Sequence, residues 1–329
     1  MSQSQLDAFR GGDRLVRIIG HRGARGIMPE NTMVGFEWTL RMGVGALEFD
    51  VLLTKDDIPV IVHNHQLTSS TTRDQDGQWL RDQEPTICDL TYAEICGFDV
   101  GGIDSRSAYG QRFPDQAFLS HIRVPRLVDL LELVARPCFA KTALMLEIKS
   151  DPKAEQPGVA RINTVKRVVD AVRNTGLSHR TILHSFDWDI LAECQRQAPD
   201  MPASFLTQMP ENEDDAGEDS ALGFGAELRK ARSIPELVAK AGGELWCPYV
   251  KDINAQDIAR AKELGLLVVT WTVNEIDDIN QAIELGVDGI VSDYPGRVQH
   301  ALLSRDYHWL PTLQDKEPHA RRFPESATV

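Results

Sequence analysis

Apolar runs with strand character alternate with amphipathic helical stretches along most of this 329-residue chain. Strands are predicted at Leu15–Gly20, Ala46–Leu53, Ala143–Lys149, Thr181–Ser185, Ala203–Thr207, Leu245–Val250, Leu266–Val273 and Gly289–Ser292. Helical spacing of apolar residues follows most of them, as in Ala255–Leu264 and Glu275–Leu285. Gly265 and Gly286 come directly after these two stretches, where a left-handed residue commonly ends a helix. About eight strand–helix units predict a TIM-like (β/α)8 barrel, with a doubly wound open sheet as the alternative.

Three segments depart from this alternation. Between His63 and Pro125 the chain is polar and rich in turn residues, and loops of that length are uncommon unless they are functional. We interpret residues 66–121 as a small insertion after the second strand of a barrel that spans residues 12–304. The acidic stretch Met209–Gly225 is interpreted as a solvated loop rather than a metal site. Residues 305–329 are expected to form a C-terminal tail, packed on the barrel exterior or partly disordered.

Charged residues occupy one face of two predicted strands. Residues two apart along a strand share a face, so Glu48 and Asp50 point away from the apolar residues between them. The same alternation places Glu147 and Lys149 together on one face of a later strand. The apolar faces of barrel strands pack against helices. The charged side chains are therefore expected in the lumen, near the strand ends where barrel enzymes hold their active sites.

Three inward carboxylates beside one ammonium group are costly to bury unless they are paired or bind a metal. Hard oxygen donors such as Glu48, Asp50 and Glu147 suit Mg²⁺ or Ca²⁺ better than zinc. The alternative is an internal salt-bridge network centred on Lys149. A single lysine cannot neutralise three carboxylates, so a divalent metal site is predicted.

Two histidines come at the ends of extended runs. His21 follows the first strand in Gly20-His21-Arg22-Gly23, and His63 ends the run that begins at Val60. Imidazole exists in both protonation states near pH 7, so two histidines across one site can serve as acid and base. Arg22 and Lys149 add the positive charge that a phosphate group requires.

Composition excludes several classes of protein. The chain has 35 Lys and Arg against 49 Asp and Glu, a formal net charge of −14, which argues against binding to nucleic acid or to an acidic membrane surface. No stretch reads as a secretory signal or a membrane span. Five scattered cysteines predict isolated thiols, although a Cys88–Cys96 bridge is conceivable. We expect a cytoplasmic protein.

Several segments resemble the glycerophosphodiester phosphodiesterase family. The resemblance extends from about residue 15 to 300, apart from the insertion. Each segment alone is weak evidence, but the combination is specific. The segments are His21-Arg22-Gly23, Pro29-Glu30-Asn31-Thr32, Glu48-Phe49-Asp50-Val51, Thr54-Lys55-Asp56, Pro59-Val60 through His63, Leu146-Glu147-Ile148-Lys149, Trp271-Thr272-Val273-Asn274 and Ser292-Asp293-Tyr294-Pro295.

The resemblance implies a TIM-like barrel with a small insertion after the second strand. It also implies hydrolysis of glycerophosphodiesters, which are small molecules, to glycerol 3-phosphate and an alcohol, by water or by the substrate's own hydroxyl as nucleophile. The implied roles are metal ligation by Glu48, Asp50 and Glu147, acid–base catalysis by His21 and His63, phosphoryl contacts from Arg22 and Lys149, and an apolar wall near the glycerol from Trp271.

The sequence leaves the roles of several residues undecided. Such enzymes commonly carry Asp after the second histidine, whereas this chain has Asn64, which puts the identity of the metal in doubt. Trp271 could instead be a core aromatic residue. Asn31 and Thr32 fit a helix start, and capping accounts for both. Glu30 is a metal ligand or a supporting residue, and the sequence does not decide between them.

Two other functions compete with this one. A phospholipase D or lysophospholipase D would cleave lipid phosphodiesters by similar chemistry and should show an exposed apolar rim, of which the polar insertion gives little sign. A catalytically silent glycerophosphodiester-binding protein is the alternative from another class. The complete set of charged residues counts against it.

Overall fold

The computed structural model describes residues 14–81, 84–150, 154–209 and 232–310, together with Leu6 and Phe9. Strands are short, and most are fully buried, which is expected where a sheet is covered on both faces. In chain order they are β1 (Arg17–Gly20), β2 (Ala46–Leu53), β3 (Pro59–Ile61), β4 (Ala143–Ile148), β5 (Thr181–Ser185), β6 (Ala203–Thr207), β7 (Leu245–Pro248), β8 (Leu267–Thr270) and β9 (Gly289–Ser292).

The strands form a closed parallel barrel. Pairing runs β1-β9-β8-β7-β6-β5-β4-β2, and a further pairing of β1 with β2 closes the ring. Strand β3 lies outside the ring and pairs antiparallel with β2, Val51 opposite Ile61. The predicted TIM-like (β/α)8 barrel is thus confirmed, and the open doubly wound sheet is excluded by the β1–β2 pairing.

Helices cover the outside of the barrel, and their apolar faces meet the outward side chains of the strands in one large core. In chain order the helices are α1 (Met33–Arg41), α2 (Tyr92–Ile95), α3 (Ala108–Arg112), α4 (Leu127–Val134), α5 (Pro157–Asn174), α6 (Trp188–Gln197), α7 (Ile234–Lys240), α8 (Ala255–Glu263), α9 (Ile276–Leu285) and α10 (Pro295–Leu303). The short helices α2 and α3 lie in the segment after β3 and do not contribute to the large core. The two predicted glycine positions are confirmed, since Gly265 and Gly286 have φ of 78° and 76°.

Between β3 and α4 the chain forms turns, short helices and isolated bridges rather than a strand–helix unit. A separate small core joins this segment to the barrel, with Leu67, Ile87 and Ile95 packed against Leu52 and Val60. The segment therefore sits on the β2–β3 hairpin, beside the carboxyl-terminal end of β2.

The eight predicted strands differ from the observed ones only at their ends, and the short strand β3 was not among those predicted. The first strand begins at Arg17 rather than Leu15, because Leu15 makes only an isolated bridge with His308. None of the five cysteines, all within the described residues, forms a disulfide, so a Cys88–Cys96 bridge is absent. Most of the acidic stretch after Met209, and the tail after Leu310, lie outside the described residues. No helix within the described ranges has the length and apolar run needed to cross a bilayer.

Candidate active site

Register between two neighbouring strands brings the predicted carboxylates together. Strands β2 and β4 pair in parallel with Asp50 opposite Glu147, and Glu48 lies one inward position earlier on β2. Each of the three residues offers an oxygen within 4.8 Å of the other two. Their side chains are nearly inaccessible, with residue exposures of 3%, 1% and 6% for Glu48, Asp50 and Glu147. The parity argument from the sequence is confirmed.

Two cationic side chains and one backbone N–H group contact these carboxylates. Lys149 Nζ lies 2.9 Å from Asp50 Oδ1 and 2.7 Å from Glu147 Oε1. Arg22 approaches Asp50 through Nε at 3.4 Å, and its backbone N–H donates to Glu48 at 3.1 Å. The salt-bridge alternative is therefore partly right, because Lys149 does pair with two of the acids, yet its ion pairs do not extend to Glu48.

The electrostatics of the cluster are unequal. Burial and the charges of Asp50 and Glu147 raise the pKa of Glu48 well above its ordinary value. Burial likewise raises the pKa of Glu147 to about 7, although Lys149 opposes the shift. For Asp50 burial acts in the same direction, but Lys149 and His63 outweigh it and hold the pKa of Asp50 well below its usual range. The raised pKa values show that the ionised forms of Glu48 and Glu147 are disfavoured, because the cluster holds more negative than positive charge. A bound cation would favour their ionised forms.

The donor set fits a hard divalent cation. Mg²⁺ binds oxygens at about 2.0–2.1 Å and Ca²⁺ at about 2.3–2.6 Å, so oxygens on one ion lie within about 4–5 Å of one another. The separation of up to 4.8 Å among oxygens of Glu48, Asp50 and Glu147 meets this condition. Glu30 adds a fourth carboxylate beside Arg22, so the two cationic side chains face four acids. A divalent cation would balance that charge.

The first predicted histidine is oriented by a residue that the sequence analysis did not assign. His21 Nδ1 lies 2.7 Å from Asp293 Oδ1, and Nε2 lies 3.8 Å from Glu48 Oε2. Asp293 also accepts two hydrogen bonds from Arg25, at 2.9 and 3.0 Å, and one from Asn274 at 2.7 Å. Burial lowers the pKa of His21, while the charge of Asp293 opposes that shift. Asp293 therefore fixes the ring and leaves Nε2 directed at the carboxylate cluster.

The second predicted histidine has a neutral partner. His63 Nδ1 lies 2.6 Å from the Oδ1 atom of Asn64, the residue at which the sequence departs from the family pattern. Asn64 can accept a hydrogen bond as Asp does, so the orientation of the ring is retained without the charge. The two imidazoles thus have different supports, a buried carboxylate for His21 and an amide for His63.

A strained turn after β1 carries the first histidine. A Cβ at Gly20 would lie 2.1 Å from the carbonyl oxygen of Gly23, so only glycine fits there. Arg22 and Asn31 both have positive φ, 49° and 54°, which is uncommon for residues other than glycine. Thr32 caps α1 as predicted, with Oγ1 accepting from Gly35 N at 3.2 Å. Capping does not account for Asn31, because the N-cap is Thr32 and the Asn31 amide instead donates to Asp50 at 2.9 Å.

A pocket of about 310 Å³ opens in front of these groups. Phe186, Leu206 and Trp271 form its apolar side, while His21 and His63 border its polar side. Trp271 also packs against Phe186, with ring centroids 5.2 Å apart, and donates from Nε1 to the Cys247 carbonyl at 3.1 Å. The tryptophan is therefore both a fixed core aromatic and part of the pocket wall.

A third imidazole lines the same pocket. His184 lies opposite Glu147 in the β4–β5 register, and its Nδ1 is 2.7 Å from Ser204 Oγ. Burial and the nearby charge of Lys149 lower the pKa of His184 to about 3, so the ring is neutral near pH 7. Side chains alternate between the two faces of β5, and His184 lies on the inward face.

The structure brings together all eight residues singled out from the sequence: His21, Arg22, Glu48, Asp50, His63, Glu147, Lys149 and Trp271. Four neighbours of these groups were not predicted from the sequence as site residues: Arg25, Asn31, His184 and Asp293. Asp293 offered a usable signal, because it is a carboxylate directly after a barrel strand. Arg25 offered none, since its partner lies 268 positions away.

Comparison with known proteins agrees with this geometry. Residues 21–297 match the model of the glycerophosphoryl diester phosphodiesterase family. A solved structure from Silicibacter pomeroyi DSS-3, which carries the same family designation, is 50% identical with a TM-score of 0.86, covering 93% of this chain and 99% of that one. Uncharacterized protein YqiK from Bacillus subtilis (strain 168) is 30% identical, covering 89% of this chain and all of the relative.

A third similarity concerns a protein with a bound product. A phosphodiesterase from Oleispira antarctica, solved in complex with sn-glycerol-3-phosphate, has a TM-score of 0.65 at 22% identity, covering 88% of this chain and 97% of that one. At that identity the likeness establishes the fold alone. The family match spans most of the chain, from the first histidine to the turn that carries Asp293. This chain therefore belongs to the glycerophosphoryl diester phosphodiesterase family.

Proposed function

We propose that this protein hydrolyses glycerophosphodiesters to glycerol 3-phosphate and an alcohol, in a reaction that depends on a divalent cation. The observation that carries the proposal is one buried cluster of three carboxylates, bordered by two oriented histidines and two cations, on a barrel of this family. The bound product of the Oleispira antarctica relative supports the same substrate class.

Metal binding is assigned to Glu48, Asp50 and Glu147. A bound Mg²⁺ or Ca²⁺ would withdraw charge from the phosphoryl oxygens and lower the pKa of a hydroxyl nucleophile. Lys149 and Arg22 hold the carboxylates in position and supply positive charge beside the phosphate. Titrating the purified protein with each ion, after chelation, would decide between the two metals.

Acid–base catalysis is assigned to His21 and His63. One ring removes a proton from the attacking hydroxyl, and the other gives a proton to the departing alcohol oxygen. In the net reaction water adds to phosphorus as the bond from phosphorus to the leaving alcohol breaks. Trp271 forms the apolar wall against which the glycerol carbons pack.

Replacement of either histidine by alanine should lower kcat about 10²–10⁴-fold while the fold is preserved. The assay is release of glycerol 3-phosphate from glycerophosphocholine, glycerophosphoethanolamine and a lysophospholipid, with and without chelator. His300→Ala, on the exposed face of α10, is the matched control. Near-normal turnover in both variants would refute the assignment. Preference for the lysophospholipid would favour a lipid phosphodiesterase, and binding without turnover would favour a silent binding protein.

The remaining predictions from the sequence concern the domain boundaries, the cellular location and the lack of nucleic-acid binding. The barrel is proposed to span residues 12–304, with an insertion at about 66–121 and a tail at 305–329. Limited proteolysis followed by mass spectrometry would check these boundaries. The cytoplasmic location can be checked by fractionating cells that produce the protein, and the lack of nucleic-acid binding by a gel-shift assay.

A further inference from the structure

A second cleft lies between the barrel and the segment that follows β3. It has about 490 Å³ of empty space, counted together with the part that is open to solvent. We call it the insertion cleft and define it by Asn31, His63, Thr72, Gln116 and Ile103 among its lining residues. His63 is the feature that links it to the catalytic pocket, because this ring borders both spaces.

The lining of the insertion cleft is neutral and rich in hydrogen-bonding groups. Seven of its residues are Asn, Gln or Thr, and the remainder are mostly aliphatic. Among the described residues that line it there is no Phe, Tyr, Trp, Lys or Arg, and Glu30 is its only carboxylate. Such a surface suits an uncharged ligand that carries several hydroxyl groups.

Three polar atoms around the insertion cleft have no hydrogen-bond partner within the described part of the chain. They are Asn31 Oδ1, Thr72 Oγ1 and Gln116 Oε1. Asn31 and Thr72 are 4% and 1% exposed, and buried polar groups are almost always hydrogen-bonded in folded proteins. Asn31 also contacts the carboxylate cluster through its bond to Asp50, so one end of the cleft lies beside the proposed metal site.

The need for proton transfer to the leaving alcohol indicates which part of the substrate would lie in the insertion cleft. The oxygen of the leaving alcohol must be within reach of a histidine when the ester bond breaks. A larger cleft of about 1220 Å³ also adjoins the pocket, but it is reached through Trp271 and includes neither His21 nor His63 among its described lining residues. Of these two clefts, the insertion cleft is the one that borders a catalytic histidine.

We propose that the insertion cleft binds the leaving alcohol and selects neutral, hydroxyl-bearing alcohols such as glycerol over choline. This inference rests on the proposed function. A quaternary ammonium group is held in proteins by aromatic faces, and the described lining of this cleft has none. A polyol can instead satisfy the unpartnered oxygens of Asn31, Thr72 and Gln116.

The first test compares two substrates of the full chain with its metal. Glycerophosphoglycerol and glycerophosphocholine differ only in the leaving alcohol. We expect kcat/KM for release of glycerol 3-phosphate to be at least about tenfold higher for glycerophosphoglycerol. Equal values, or a preference for the choline ester, would overturn the inference. Failure to release glycerol 3-phosphate from either diester would contradict the proposed function itself, and the inference with it.

The second test removes one hydroxyl from the cleft. Thr72→Val keeps the shape of the side chain and should lower kcat/KM for glycerophosphoglycerol about three- to tenfold, the value of one hydrogen bond, with a smaller loss for glycerophosphocholine. Thr72→Ser should restore the preference. Thr164→Val, on α5 away from the cleft, is the matched control and should leave both values unchanged.

Inhibition by the product, glycerol 3-phosphate, shows which end of the substrate the insertion cleft binds. If the cleft holds the leaving alcohol, Thr72→Val leaves the inhibition constant for glycerol 3-phosphate within about twofold of the parent value. A large rise in that constant would show that the cleft holds the glycerol of the product instead, and would overturn the proposal. Equal losses for both diesters would also overturn it, because a general disturbance of the site has no preference for the alcohol.

Discussion

His21 shows how the chemistry of one residue depends on its neighbours. Its ring is fixed by Asp293, a buried carboxylate that also binds Arg25. Burial acts to raise the pKa of Asp293, but Arg25 and His21 outweigh it and hold that pKa far below its ordinary value. Asp293 is therefore ionised near neutral pH, and it favours the tautomer with a proton on Nδ1 of His21.

Asp293→Asn should lower kcat about 10²–10⁴-fold with little change in KM, because the amide favours the wrong tautomer of His21. Steady-state kinetics with a glycerophosphodiester would measure both constants. Asp257→Asn, in the first turn of α8, is the matched control. Since Asp293 also pairs with buried Arg25, the melting temperature of the variant should be measured too. A normal kcat in a folded variant would contradict the orienting role.

Glu147 makes metal affinity depend on pH. Burial raises its pKa to about 7, and a metal binds the ionised carboxylate, so binding must displace a proton near neutral pH. The dissociation constant should fall about tenfold between pH 6 and pH 8, as measured by calorimetry. Glu147→Gln should weaken binding and reduce this dependence to the part that comes from Glu48, whereas Glu284→Gln, exposed on α9, should change neither. A dependence equally steep in Glu147→Gln would assign the titration to another group.

The turn between β1 and α1 places two functional side chains with little freedom. Gly20 and Gly23 approach so closely that no side chain fits at position 20, and this contact sets the direction in which His21 leaves the strand. The same segment then needs left-handed conformations at Arg22 and Asn31. Local strain of this kind, of order 1–3 kcal/mol per residue, persists only where surrounding contacts impose it.

Gly20→Ala should destabilise the protein by about 3 kcal/mol and abolish turnover, because the added Cβ would meet a backbone carbonyl that cannot move alone. Urea unfolding would measure the loss. Gly158→Ala is the matched control, since a Cβ there meets nothing and the residue lies in the first turn of α5, so stability should be unchanged or slightly higher. Similar stabilities for the two variants would refute the packing argument.

Closing the barrel buries charged and titratable groups that the open chain would leave in water. His184 is an example, because its pKa falls from 6.5 to about 3 on burial. Below pH 6.5 the unfolded chain binds a proton that the folded chain does not. This contribution to stability is therefore complete above about pH 6.5 and is lost as pH falls toward about 3.

The free energy of unfolding should fall by about 1.4 kcal/mol per pH unit between pH 6 and pH 4 through His184 alone. His184→Gln, which keeps a polar group beside Ser204, should remove that part of the slope. Urea unfolding at several pH values in this window would measure it. His179→Gln, at an exposed position, serves as the matched control and should retain the parent slope. Parallel slopes in parent and His184→Gln would mean that His184 takes up its proton in the folded state as well.

The sequence by itself determined the barrel, the inward face of β2 and β4, and the residue types of the carboxylate cluster. These follow from local rules, because side chains alternate along a strand and apolar spacing repeats along a helix. Glu48, Asp50, Glu147 and Lys149 could therefore be assigned to the lumen before any contact was known, and their distances agree.

Only the tertiary structure decided which groups support the histidines and where the insertion cleft lies. Asp293 lies 272 positions from His21, and closure of the barrel through β1 and β9 brings them within 2.7 Å. The insertion cleft likewise arises where Thr72 and Gln116 meet Asn31 beside the barrel. Contacts between distant segments depend on how whole elements pack, and no local pattern of hydrophobic and polar residues specifies them.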